Sequence, residues 1–186
     1  QLLHTHDGGA NWTEMDIFGF DAVTDIAAGP ALGDAVFCMA VGRYMINKSD
    51  DAGESWNISL TESAFSGASP QCMTFVNDHI GLLAGEGGRI LRTGDGGLSW
   101  SIVHGIGYIG SISQMLFKDD RTGVAATSSS TLLVTSNGGA RWDEVIPSAD
   151  HTVRHVARSP EGVLYIVGIT SSNAYDLLRS TDEGLT

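Results

Sequence analysis

The 186 residues carry 22 acidic against 10 basic side chains, a formal net charge of −12. With no basic block the chain lacks the phosphate-contacting footprint of a nucleic-acid binder, and an anionic membrane surface would repel it. Hydrophobic residues make up 42% and charged residues 17%, which excludes an intrinsically disordered chain, and no 18-residue apolar run is present to span a membrane.

Glycine is abundant and proline scarce, 24 against 4, as suits short strands joined by tight turns. The first element, "LLHTHDGGANW" (2–12), is an apolar strand, a tight polar turn and a tryptophan. The same grammar returns in "INKSDDAGESW" (46–56), "RILRTGDGGLSW" (89–100), "LLVTSNGGARW" (132–142) and "LLRSTDEGLT" (177–186). The turn positions Asp7, Asp51, Asp95, Asn137 and Asp182 recur at intervals of 44, 44, 42 and 45 residues, a period that indicates propellers or helical arrays. No stretch between turns has helical periodicity, and a solenoid of this period would need 10-residue amphipathic stretches.

Each turn instead leads into an outer strand that begins at tryptophan: "NWTEMDI", "SWNISLT", "SWSIVH" or "RWDEVI". A variable loop follows, then "AVTDIAA", "QCMTFVN", "SISQMLF" or "TVRHVAR". The apolar runs "AVFCMAVG", "GLLAGEGG", "GVAATSSS" and "GVLYIVGI" come next, and the strand entering the following turn closes the unit. Four strands per repeat, stacked radially, make a β-propeller blade. Runs such as "AVFCMAV" lack alternation because neighbours cover both faces of a blade. The expected fold is all-β, a β-propeller of four-stranded antiparallel blades. Residues 1–16 hold the last two strands of one blade, 17–60, 61–104 and 105–146 are full blades, and 147–186 hold the first three strands of the next. That is one propeller segment of about four blades, expected to belong to a larger propeller of six to eight. No signal peptide opens the sequence, and since it begins inside a repeat an export signal would lie upstream.

The turn chemistry is local. The Asp carboxylate accepts N–H groups of its own turn, the hydroxyl two residues earlier adds a bond, and glycine supplies positive φ. Trp12, Trp56, Trp100 and Trp142 are expected to cover the hairpin bases, each worth at most about 4 to 5 kcal/mol at roughly 25 cal/mol per Å². Asp7, Asp51, Asp95, Asn137, Asp182 and the four tryptophans are therefore structural. One dependable carboxylate per turn does not meet the six to eight oxygens of calcium, so no metal and no cofactor is expected. Cys38 and Cys72 read as two separately buried thiols, with a disulfide between them the alternative in an exported protein.

These turns resemble the Asp-box (BNR) repeat, roughly Ser/Thr-x-Asp-x-Gly-x-Thr/Ser-Trp. "SDDAGESW" and "TGDGGLSW" match it fully, "THDGGANW" carries Asn11, and "TSNGGARW" carries Asn137 and Arg141. "LLAGEGGRILRTGDGGLSW" (82–100) further resembles the blade consensus of the photosystem II assembly/stability factor family and its wider bacterial relatives, departing from it at Leu82 and in its acidic, arginine-poor composition. The resemblance implies a non-catalytic binding or assembly module, exported to an extracellular or periplasmic location, with the turns on the face away from the ligand. The ligand would be a protein or glycan meeting the channel-mouth loops, without nucleic acid or membrane insertion.

Candidate binding residues are Arg43, Tyr44, Glu86, Arg89, Tyr108, His155 and Tyr175. Around them stand Phe18, Phe20, Glu62, Phe65, His104, Asp150, His151, Asn173 and Asp176, with Asp25, Gln114 and Arg154 on innermost strands. Aromatics mixed with arginine over several loops suit recognition of a partner. The alternative is a sialidase-like glycoside hydrolase whose catalytic set is shared with blades outside this sequence. Arg43, Arg89 and Arg154 would then bind the substrate carboxylate near Tyr44 or Tyr108, but the Phe/Tyr-Arg-Ile-Pro motif of sialidases is absent.

Overall fold

The computed structural model describes residues 2–15, 23–29, 38–42, 45–61, 69–105 and 110–182. Their strands form five antiparallel sheets, each a meander in sequence order. Sheet 1 pairs β1 (Leu2–His4) with β2 (Thr13–Met15). Sheet 2 contains β3 (Val23–Ala28), β4 (Cys38–Gly42), β5 (Met45–Ser49) and β6 (Asn57–Thr61). Sheet 3 contains β7 (Pro70–Phe75), β8 (Gly81–Gly85), β9 (Ile90–Thr93) and β10 (Ser101–His104). Sheet 4 contains β11 (Ile112–Phe117), β12 (Gly123–Thr127), β13 (Leu132–Thr135) and β14 (Asp143–Val145), and sheet 5 contains β15 (His151–Arg158), β16 (Leu164–Thr170) and β17 (Tyr175–Ser180).

The sheets stack face to face, and side chains along one strand separate by parity. In β8, buried at every position, Leu82 and Ala84 join Ile112, Met115, Leu133 and Trp142 of sheet 4. Leu83, between them, packs with Met73 and Leu91 of its own sheet and with Ile46 of sheet 2. In β12, also fully buried, Ala125 faces sheet 3 while Val124 and Ala126 meet Val153, Val156, Leu164 and Ile166 of sheet 5. Successive side chains of a strand point to opposite faces, so a strand covered on both faces needs apolar residues throughout.

Polar stitching links the sheets as well. The first strands of sheets 2 to 5 each have an irregular register, at Val23/Asp25, Pro70/Cys72, Ile112/Gln114 and Val153/His155. The residue after the shift reaches forward in three of them. Asp25 Oδ2 accepts the Met73 N–H at 2.8 Å, Gln114 Oε1 accepts the Val156 N–H at 3.1 Å, and the Cys72 thiol donates to the Ile112 carbonyl at 3.7 Å. Asp25 and Gln114, read from sequence as channel-lining candidates, spend acceptors on the backbone of the next sheet. Cys72 is a free, buried thiol, pushed up to about 12 by burial and by the Asp25 carboxylate.

One expectation fails. Trp56 and Trp142 are 8% and 5% exposed, but Trp12 is 57% exposed. The fourth turn is covered by sheet 3, where Gly139 abuts Leu82 and the Arg92 Nε donates to the Gly138 carbonyl at 2.8 Å. Trp12 belongs to sheet 1, which has no earlier sheet among the described residues to cover it.

Candidate functional site

The strands present two ends with different chemistry. At one end lie the tryptophan hairpins, where one geometry repeats. Thr5, Ser49, Thr93 and Thr135 each donate a hydroxyl to the acidic or amide side chain two residues on, at 2.7 to 3.0 Å, and accept the glycine N–H four residues on. Oδ1 of Asp7, Asp51, Asp95 or Asn137 then accepts the N–H of Asn11, Ser55, Ser99 or Arg141. Ser180 and Asp182 begin a fifth copy.

The Asp carboxyls are held low, at about 2. For Asp7 the largest cause is the Asn11 N–H; for Asp51 and Asp95 it is the hydroxyl of Ser55 or Ser99. Two adjacent residues per turn have positive φ, Gly8–Gly9, Ala52–Gly53, Gly96–Gly97 and Gly138–Gly139. Indole N–H groups of Trp12, Trp56 and Trp142 close on the carbonyls of Gly9, Gly53 and Gly139. In the third turn the Gly97 carbonyl takes the Ser59 hydroxyl from sheet 2 at 2.9 Å, and the Trp100 Nε1 is buried with no acceptor among the described residues.

The opposite end gathers the connectors between sheets and the loops between second and third strands. Pro70 pairs with Gly85, Ile112 with Thr127 and His151 with Thr170, so each connector sits beside a loop of its own sheet. In sheet 3 the short 3-10 turn Glu86–Gly88 fills that place. The exposed Glu86 carboxylate accepts the Ser69 N–H at 3.2 Å, and Arg89 packs its stem on Gly105. The hollow they line with Ser69 and Pro70 holds about 10 Å³, room for one water and no more.

In sheet 5 His151 bridges Ser148 and Asp176: Nδ1 to the Ser148 Oγ at 2.7 Å, Nε2 to the Asp176 Oδ2 at 2.9 Å. Its side chain is 14% exposed. This hydroxyl–imidazole–carboxylate chain braces the turn whose backbone bond runs from His151 N to Ser148 O. Tyr175 is 71% exposed and Asn173 adopts a left-handed φ of 62°. His104 closes β10, its imidazole lowered by burial against an opposing pull from Glu144. His155 and Arg154 are exposed on β15, and His155 holds the place that Asp25, Cys72 and Gln114 occupy in the earlier sheets. Asp150 is exposed in the last connector. Arg43, Tyr44, Tyr108, Phe18, Phe20, Glu62 and Phe65 lie outside the described residues.

Serial four-stranded antiparallel meanders, packed face to face, define an all-β protein of β-propeller type. No family model and no curated protein matches the chain. Among solved structures it is similar to YCF48 bound to D1 peptide, with a TM-score of 0.67 and 18% identity over 95% of this chain and 61% of that one. YCF48 from Cyanidioschyzon merolae gives 0.67 and 19% over 93% of this chain and 61% of that one. An ancestral GH74 enzyme gives 0.69 and 16%, covering 91% of this chain and 27% of that one. The chain thus spans about three fifths of the YCF48 chains, and at these identities the likeness is one of fold.

Proposed function

We propose that this chain is an arc of an Asp-box β-propeller, with blades at 17–60, 61–104 and 105–146, acting as a non-catalytic, exported binding or assembly module. Its partner is a protein segment or glycan held across the connector end. The observation that carries this reading is the division of labour between the ends. The hairpin carboxylates are consumed by their own turns, whereas Glu86, Arg89, Tyr175 and the His151–Asp176 pair gather with the connectors. The hollow beside Glu86 and Arg89, about 10 Å³, is too small for a sugar ring or cofactor, which supports recognition by an extended surface. YCF48, of like fold, is a protein that binds a peptide.

The test is a screen of the chain against peptide and glycan arrays, beside the triple variant Glu86→Ala/Arg89→Ala/Tyr175→Ala and the variant Arg121→Ala at the hairpin end, where the exposed Arg121 accepts the Gly138 N–H on its carbonyl. Binding lost in the first and kept in the second supports the reading. Release of sialic acid from a sialoside would establish the sialidase-like alternative instead.

A further inference from the structure

Two histidines on the first sheet and a glutamate on the second meet at one point. His4 ends β1, and His6, two residues on, stands in the following turn. Glu54 lies in the second turn at a place held by Ala10, Leu98 and Ala140 in the others. Its Oε1 is 3.4 Å from the His4 Nδ1 and 2.6 Å from the His6 Nε2, and one ligand atom from each residue lies within 4.8 Å of the others.

The fold explains the meeting. In sheet 3 the residue before the turn's hydroxyl, Arg92, reaches the next turn, where its Nε donates to the Gly138 carbonyl. In sheet 1 that residue is His4, and the turn it reaches presents Glu54. Where sheets 3 and 4 are linked by a guanidinium, sheets 1 and 2 bring together two imidazoles and a carboxylate.

We propose that His4, His6 and Glu54 form a divalent metal site of zinc type, clasping sheet 1 to sheet 2. Zinc bonds of about 2.0 to 2.2 Å place neighbouring tetrahedral ligands about 3.3 Å apart. The His4–Glu54 separation already matches, and the His6–Glu54 pair needs to open by less than an ångström. Two imidazoles and one carboxylate select zinc-class ions over calcium or magnesium. The neighbouring carboxylates of Asp7 and Asp51 are held by their own turns, leaving the fourth position to solvent or an incoming ligand. His6 and Glu54 are 71% and 50% exposed, so the ion has an open approach, while His4 at 21% is held by its strand.

The experiment titrates the chelator-treated chain with cobalt(II) and with zinc. The expected results are the visible absorption of tetrahedral cobalt and a zinc-dependent rise in Tm, since a ligand that binds only the folded state stabilises it. Both should be lost in His6→Gln/Glu54→Gln and retained in His79→Gln, which alters a histidine–aspartate pair elsewhere. In His6→Cys the cobalt spectrum should gain a sulfur charge-transfer band, which reports ligation directly while circular dichroism monitors the fold. The proposal is overturned if cobalt and zinc responses persist unchanged in the double variant, or if the parent chain shows neither at millimolar metal. The cluster is then only a surface ion pair.

Discussion

Trp142, 5% exposed and edge-on to Phe117 at 6.1 Å between ring centroids, fills space between sheets 3 and 4. Trp142→Ala is expected to cost roughly 3 to 5 kcal/mol, whereas Trp12→Ala should cost well under half of that because its ring is 57% exposed. Urea unfolding of the two variants decides whether burial or motif membership sets the cost. Ala52 is the non-glycine residue in a left-handed pair of turn positions, with φ 59°. That conformation costs an L-residue roughly 1 to 2 kcal/mol, partly offset by the greater chain entropy that glycine loses. Ala52→Gly is therefore expected to stabilise by about 0.5 to 1 kcal/mol, read as a raised urea midpoint with unchanged slope.

The turns also set an acid response. Asp7, Asp51 and Asp95 fall from an ordinary 3.8 to about 2 in the folded chain. A carboxyl more acidic when folded stabilises the fold above its unfolded value, and that contribution disappears as pH falls from about 4 through 2. The triple variant Asp7→Asn/Asp51→Asn/Asp95→Asn should flatten this part of the stability profile while folding normally at neutral pH. Asn137 already performs the same closure with an amide oxygen. An unchanged profile in the variant would place acid sensitivity elsewhere.

At the scale of elements, the first strand of sheets 2, 3 and 4 does two jobs. It pairs with the second strand and hands one side chain forward to the next sheet. Asp25→Ala leaves the Met73 N–H without its side-chain acceptor, with an expected cost of about 1 to 2 kcal/mol. Hydrogen exchange should quicken at Met73 before it quickens in β8. Cys72 makes the parallel contact with its thiol, which burial keeps protonated and slow to alkylate in the folded chain. This device was invisible in the strings "TDI", "QCM" and "SQM", because nothing local distinguishes a side chain aimed at a channel from one aimed at a neighbouring sheet.

Across the whole molecule, cores lie between sheets 2 and 3, 3 and 4, and 4 and 5. Sheets 3 and 4 are therefore covered on both faces, while Tyr175 and Leu177 of β17 are 71% and 68% exposed. Amide exchange is expected to be slowest in β8 and β12 and to rise toward sheet 1 and β17; uniform protection across the five sheets would contradict this stacking. The order of strands, the hairpins and their spacing could be read from the residues because they depend on pairings within about twenty positions, such as Val23 with Gly42 and His151 with Thr170. Alternation, left-handed glycine and a carboxylate closing on its own N–H groups are all local matters. Which tryptophan is covered, which polar side chain stitches sheet to sheet, and that His4 and His6 meet Glu54 were decided by tertiary structure. Those contacts join residues some 40 to 50 positions apart, as Asp25 to Met73 and Gln114 to Val156 do, and stacking geometry alone brings them together.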